Sequence, residues 1–350
     1  MQVSKIPGLG SFGHYIDNVD FNIITNEEWI EIGKLHLKGL VTILRNVTIN
    51  KDQYLQRINS FGPLESSMRS YLVKKYGHQF DVLDEESYKE FSDYEKEFLK
   101  DKKFFYEKTE KGTVLTRVTG KIDEYGNPMG VFSSGDLEWH SNEGAYLTFA
   151  PCVSLLGGSH MTDSSTGFLQ TVDYYESVTD SFRSELNEMI LVHEYSPGII
   201  NDREKEDLIL ERQIRMTMCP ENGLETPLVV TTPGGHKGLR YTMHTASSIK
   251  GMSKEDSNRV FAELNKHLLD PKNIFDHWYE QDNDLLLFDN SVTQHRRIGG
   301  HPDRVAYRYQ YFPKNLLDTL WNPYDNPYYA AEYAKTKNDI DQLREKIVGY

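Results

Sequence analysis

The stretch Leu137–Tyr146, LEWHSNEGAY, places a histidine (His140), an amide (Asn142) and a carboxylate (Glu143) within four positions. A second histidine, His295, follows an apolar run in FDNSVTQHRR. Two imidazoles from distant strands, with an oxygen donor beside one of them, can form a facial metal site with positions left open, an arrangement that suits non-haem iron(II). Neutral imidazole is the nitrogen ligand such a metal takes, and the second ring nitrogen then needs an acceptor to fix its tautomer. Asp289 and Asn290 are near enough in the chain to supply one. His160, His193, His244 and His301 read as ordinary polar residues of loops and element edges.

A second set of residues is cationic. RVAYRYQYF (Arg304–Phe312) alternates strictly, so Arg304, Ala306, Arg308 and Gln310 share one strand face. A guanidinium fork matches a carboxylate bidentately, and a buried arginine pair without an acid is costly until an anion arrives. Other chemistries find less support. Ser164 and Ser165 lack a nucleophile elbow, and GGSHMTDSSTG lacks the lysine of a phosphate-binding loop.

The elements that must position these residues follow from pattern. With 38% hydrophobic and 26% charged residues, the 350-residue chain has the balance of a globular protein with a sizeable core. No repeat or low-complexity linker divides it, so one domain over 1–350 is expected. A capping box, Thr25 with Glu28, opens a helix running to about His36–Lys38, with Gly39 as its stop. Leu40–Leu44 is a buried strand, and a second helix covers about Lys51–Ser60. From about Gly77 to Gly112 the chain is dense in charge with a helical rhythm (Tyr88, Phe91, Phe98), which predicts a helical insertion, mobile and covering the mouth of the site. Strands are expected at Val114–Gly120, in CVSLLGG and in FLQTV, with SHMTDSSTG a polar loop between the last two. Val178, Phe182, Leu186 and Met189 predict a long helix to about Val192. LVVTTPGGHKGLRYT holds two β-like runs, Ser253 caps a further helix, and Asp284–Phe288 is a buried strand. A helical tail over about 329–350 is suited to packing on the domain or pairing with a second copy in a homo-oligomer. The fold class is mainly β with helical buttresses, a small barrel or sandwich whose inward strand faces can be polar.

Charge and composition bound the partners. A net charge of −14 argues against nucleic acid and against an anionic membrane. Cys152 and Cys219 have no metal-knuckle spacing, the start MQVSKIPGLGSFG has no signal-peptide core, and no apolar run is long enough for a membrane span, so a cytoplasmic protein is expected.

Taken in order, LVTILRN, FGPLE, EWHS, SSTGF, SIKGMSKEDS, LLLFDNSVTQH and RVAYR resemble the taurine dioxygenase-like (TauD/TfdA-like) family of Fe(II)- and 2-oxoglutarate-dependent oxygenases over most of the chain. The resemblance implies a double-stranded β-helix (jelly roll, cupin-like), with Fe(II), 2-oxoglutarate as cosubstrate, O2 and a small-molecule substrate. It implies His140 and His295 as metal ligands, Thr166 as a hydrogen-bonding partner of the cosubstrate's distal carboxylate, Arg304 as its clamp, and Arg308 near the cosubstrate or an anionic group of the substrate. The family's acid two residues after the first histidine is replaced by Asn142, followed by Glu143, and His140 to Pro151 is one residue longer than the family spacing. A bulge in the strand, eased by Gly144, would bring Glu143 into the metal's third position; this is the reading preferred from sequence. A flat strand would leave Asn142 there with a neutral amide oxygen. The implied reaction is hydroxylation of an unactivated C–H bond in a small polar substrate, amino-acid-like or anionic. Two alternatives share the fold: a halogenase with chloride at the vacated position, where relatives carry Ala or Gly rather than Asn, and a non-catalytic binding protein, against which Thr166 and Arg304 count.

Overall fold

The computed structural model describes residues 2–62, 64–65, 72, 75–78, 80–102, 106–108, 114–126, 129–130, 132, 135–145, 149–194 and 222–317. In chain order its strands are β1 (Gln2–Lys5), β2 (His14–Asp17), β3 (Val41–Leu44), β4 (Leu64–Glu65), β5 (Tyr106–Lys108), β6 (Val114–Thr119), β7 (Leu137–His140), β8 (Cys152–Ser159) and β9 (Ser164–Gln170). They continue with β10 (Ile190–His193), β11 (Leu224–Pro227), β12 (Val229–Thr231), β13 (Lys237–Leu239), β14 (Ala246–Ile249), β15 (Ile274–Trp278), β16 (Leu285–Asp289), β17 (Thr293–Gly299) and β18 (Val305–Tyr311). The α-helices are α1 (Asn26–Gly39), α2 (Lys51–Phe61), α3 (Asp93–Lys102), α4 (Val172–Ser177), α5 (Asp180–Glu188) and α6 (Lys254–Leu268).

A large sheet runs β1-β2-β3-β16-β8-β18-β6-β5, with β4 paired to β18, and a smaller one runs β15-β9-β17-β7. Strand β16 shows how they are held together. Leu285 and Leu287 enter a cluster with Trp29, Tyr54 and Phe61 of α1 and α2, while Leu286 and Phe288 pack with Phe168 of the smaller sheet. A strand buried on both faces has no need of polar alternation, which explains the unbroken run LLLF. A third cluster joins α6 to β10, β13 and β14. The fold is mainly β, and the helices cover its outer faces. Among the described residues no helix is long and apolar enough to cross a membrane.

The expected strands form at β3, β6, β8, β12, β13, β16 and β18, and both early helices form. Thr25 and Glu28 make both bonds of the capping box. Helix α1 nevertheless ends on Leu40, which takes a positive φ of 61°, and not on a left-handed Gly39. Glycine is required at 39 for space, since a Cβ there would lie 2.3 Å from the His14 ring.

Three expectations need correction. Ser164, Ser165 and Thr166 are not loop residues but the first three of β9, buried along its whole length. The helix expected through Val192 is shortened to α5, and Met189 turns extended so that Ile190–His193 pairs with β11 and β14. The segment around 77–112 contains a 3-10 turn (Glu85–Tyr88) and α3, then joins the large sheet through β5. It is held by more than one apolar stripe. Phe80, Tyr88 and Phe91 are buried, Tyr76 stacks on Phe91 at 4.0 Å, and buried Glu95 accepts from Lys75 and Ser92, each at 2.6 Å. The side chain of Phe98 and the tail expected at 329–350 lie outside the described residues.

Candidate functional site

Strands β7 and β17 lie side by side in the smaller sheet, with His140 directly opposite His295. Their ring centroids are 4.1 Å apart. His140 Nδ1 lies 2.7 Å from the Glu138 carbonyl, which can only accept, so Nδ1 carries the proton and the Nε2 lone pair is left for a ligand bond. Burial pushes His140 down to about 4, with the charge of Arg308 acting in the same direction against the Glu138 bond. Burial, followed by the neighbouring His140, holds His295 well below the ordinary histidine range. Both rings are therefore neutral at neutral pH, the state that binds a metal.

Beyond His140 the chain turns away. Asn142 is fixed through its main chain by Asn290, and Ser141 Oγ donates to the Thr293 carbonyl at 3.1 Å. The Asn142 side chain lines the cavity that His140 and His295 also line. Its Oδ1 accepts from Arg308 Nη1 at 3.3 Å, and its Nδ2 is buried with no hydrogen-bond partner. Glu143 is not among the residues lining that cavity. The expected bulge is also elsewhere. Pairing shifts between His295↔His140 and Arg297↔Leu137, so the extra residue of β7 precedes His140. The positive φ falls on Glu143 itself, at 57°, and Gly144 serves instead a close approach to Thr242, 3.1 Å from where a Cβ would be. Among the described residues no group of three or more His, Cys, Asp or Glu side chains is placed to hold a metal. The cluster at this end is two imidazoles and an amide.

The other end of the cavity is cationic. Arg304, one residue before β18, and Arg308, which reaches back to Asn142, both line the cavity, as the alternation of that strand requires. The Arg304 side chain is buried and has no acidic partner among the described residues; desolvation lowers its pKa. Thr166 of β9 lies opposite Arg297 of β17, and both line the cavity. Burial, then the charge of Arg304, brings Arg297 down to about 9, and its Nε donates to the Gly135 carbonyl at 2.6 Å. Neighbouring Arg296 pairs with Asp276 at 2.8 Å across Gly167, where a Cβ would stand 2.2 Å from the Asp276 carboxylate. Val118, Leu155 and Phe288 supply apolar wall, and the Phe132 ring stands 6.3 Å from the His140 ring and 5.4 Å from the Arg308 guanidinium. The empty space in and at the mouth of the cavity, open solvent included, is about 440 Å³.

The structure thus brings His140, Asn142, Thr166, His295, Arg304 and Arg308 around one cavity and leaves Glu143 out. Asp289 and Asn290 hold main chain and do not receive the imidazole protons. The Asp289 carboxylate accepts from the Ser291 and Val292 amides, each at 2.8 Å, and Asn290 clamps Asn142. Arg297 was missed, although it stands two residues beyond His295 on the same strand face. His244 was missed too: it packs edge-on against His140 at 5.8 Å, and burial pushes it down to about 3. Nothing local in the sequence marks it. No described residue of the segment 77–112 lines the cavity.

Comparison with known proteins finds a matching family and structures of the same fold. The sequence model of the "Taurine catabolism dioxygenase TauD, TfdA family" matches residues 3–309. The chain is similar to an alkylsulfatase of Acinetobacter baylyi, 25% identical over 170 residues, covering 47% of this chain and 53% of that protein. It is also similar to an alpha-ketoglutarate-dependent 2,4-dichlorophenoxyacetate dioxygenase of Burkholderia sp., 26% identical over 183 residues, covering 51% of this chain and 58% of that protein. The chain spans about half the length of these curated relatives. Among solved structures it shares the fold of a taurine dioxygenase from Burkholderia xenovorans, with a TM-score of 0.58 at 16% identity over 95% of this chain and 98% of that one. It also resembles AAD-2 in complex with Mn(II) and N-oxalylglycine, with a TM-score of 0.56 at 17% identity over 89% and 97% of the two chains.

Proposed function

The chain belongs to the TauD, TfdA family, and on that premise we propose that it is an Fe(II)- and 2-oxoglutarate-dependent oxygenase acting on a small anionic or amino-acid-like substrate. The observation that carries the reading is Arg304. A guanidinium 3% exposed, with no acidic partner among the described residues, is a poor choice for stability alone and a good one for receiving a carboxylate. Thr166 adds a hydroxyl at the same cavity, and the paired neutral imidazoles stand at its other end.

The residues fit the groups this family uses. His140 and His295 would hold the metal, the first with its tautomer already set by the Glu138 carbonyl. Asn142 would offer the third position an oxygen that Arg308 already contacts. Arg304 and Thr166 would bind the distal carboxylate of 2-oxoglutarate. When bound, the metal and the oxo acid supply the redox chemistry, coupling loss of CO2 and formation of succinate from the oxo acid to oxidation of a substrate C–H bond by O2. The protein's own share is placement and exclusion of water by Val118, Leu155 and Phe288. In a chain of net charge −14, Arg297, Arg304 and Arg308 concentrate positive charge in one cavity. The sign of this lining favours a substrate carrying an anionic group over a cationic one. The sheets are read as a double-stranded β-helix with helical buttresses, in one domain.

A second reading is favoured by Asn142. Its neutral amide would bring no charge to the third position, so an anion such as chloride could balance the metal and the oxidation would then end in halogenation, although Asn is larger than the Ala or Gly of halogenating relatives. Succinate formation from 2-oxoglutarate under air, with iron(II) and with or without chloride, tests both readings. Absence of any succinate and of any 2-oxoglutarate binding overturns them in favour of a binding protein.

A further inference from the structure

Thr166 does not stand alone at the cationic end of the cavity. Its Oγ1 lies 2.8 Å from the phenol oxygen of Tyr279, and both side chains are buried. Tyr279 follows β15 directly and extends the ladder to β9, its amide donating to the Ser164 carbonyl at 3.1 Å. Its ring packs edge-on against His277 at 4.9 Å. His277 in turn meets Asp284 at 2.9 Å, and Asp284 accepts from the Asn46 amide at 2.7 Å. The phenol is therefore held from behind by a chain of contacts that ends in the large sheet.

The direction of the bond between the two hydroxyls has a chemical consequence. Each hydroxyl has one proton to give. A bound carboxylate only accepts, so Thr166 must spend its proton on the ligand, and Tyr279 must then donate to Thr166. Resting on the cosubstrate reading above, we propose that Tyr279 is a positioning residue for the distal carboxylate of the oxo acid: its phenol donates to Thr166 and so aims the Thr166 proton into the cavity beside Arg304. Burial keeps the phenol protonated, raising it to about 12, so the donor is present at every working pH. Without it the Thr166 rotor is free to point its proton elsewhere, and a polarised two-donor chain becomes a single weaker bond.

The role separates from a structural one by ligand. Calorimetric titration of 2-oxoglutarate and of 2-oxobutyrate into the Mn(II)-loaded protein compares two oxo acids that share the metal-binding head and differ in the distal carboxylate. Tyr279→Phe is expected to weaken 2-oxoglutarate roughly fivefold, the scale of one net hydrogen bond, and to leave 2-oxobutyrate unchanged. In a Thr166→Val background, Tyr279→Phe should have no further effect. Equal weakening of both acids, or full additivity with Thr166→Val, assigns Tyr279 to packing and overturns the inference. If the unmodified protein binds 2-oxobutyrate no more weakly than 2-oxoglutarate, the distal-carboxylate site itself is refuted. If it binds neither, the cosubstrate reading falls and the inference falls with it.

Discussion

Asn290 grips the peptide of Asn142 from both sides: the Asn142 amide donates to Asn290 Oδ1 at 2.8 Å, and Asn290 Nδ2 donates to the Asn142 carbonyl at 2.9 Å. The same Nδ2 reaches the Ala150 carbonyl at 2.9 Å. One buried amide thereby fixes the main chain from which Asn142 enters the cavity. Asn290→Asp keeps the size and the acceptor but sets a carboxylate against two carbonyl oxygens. It is expected to lower stability by about 2 to 4 kcal/mol, more than a surface Asn→Asp change, because a buried acceptor is left facing acceptors. Urea denaturation measures this, and a loss below about 0.5 kcal/mol contradicts the clamp.

Asn142→Asp puts a carboxylate where the cavity now has an amide, beside the Arg308 guanidinium. A pair of unit charges near 4 Å is worth roughly 4 kcal/mol at an effective dielectric of about 20, so divalent-metal affinity should rise by at least about tenfold even after desolvation is paid. Glu143→Ala, outside the cavity, should leave it unchanged. Metal titration decides; release of metal by the Glu143 change alone would restore the bulged reading.

Arg304 is expected to exchange stability for binding. Arg304→Ala should weaken 2-oxoglutarate by about 2 to 5 kcal/mol, the range for loss of one partner from a buried charge pair. Arg304→Met should abolish the same binding while raising the melting temperature of the ligand-free protein, since a buried guanidinium without an acid is replaced by apolar volume. A fall in melting temperature with Arg304→Met would show that the arginine is structurally paired.

Acid should destabilise the fold through His36. The ring is fully buried in α1, neither nitrogen has a hydrogen-bond partner, and burial pushes it from the ordinary 6.5 down to about 3. Between those values the unfolded chain binds a proton that the folded one refuses. Stability is then complete above pH 6.5 and falls as pH drops toward 3, by about 1.4 kcal/mol per unit from this group. His36→Leu should flatten the pH profile of thermal unfolding over that window; an unchanged slope would contradict it.

What was legible in the sequence was local or periodic. His140 and His295 stand out by their surroundings, Arg304 and Arg308 by alternation, and the Thr25 cap by its spacing. What escaped depends on which strands become neighbours. The Tyr279 contact with Thr166 and the approach of His244 to His140 join residues roughly 100 positions apart, and no pattern within a strand announces them. The bulge failed for a subtler reason. The bulge was placed after His140 from the spacing to Pro151, whereas the register shift of β7 lies before the histidine, where the Glu138 carbonyl meets its ring.

The pairing of β3 with β16 sets a timetable for the chain. Residues 41–44 emerge early, pair on one edge with β2, and find their second partner only when residues 285–288 arrive. Until then the centre of the large sheet is open, with β3 and β8 showing apolar strand edges on either side of an empty slot. Contacts this distant in sequence make folding slow, and open apolar edges invite association with other chains. A product truncated before residue 285 is therefore expected to aggregate rather than form a smaller folded unit, and slower, cooler synthesis should raise the yield of the full chain.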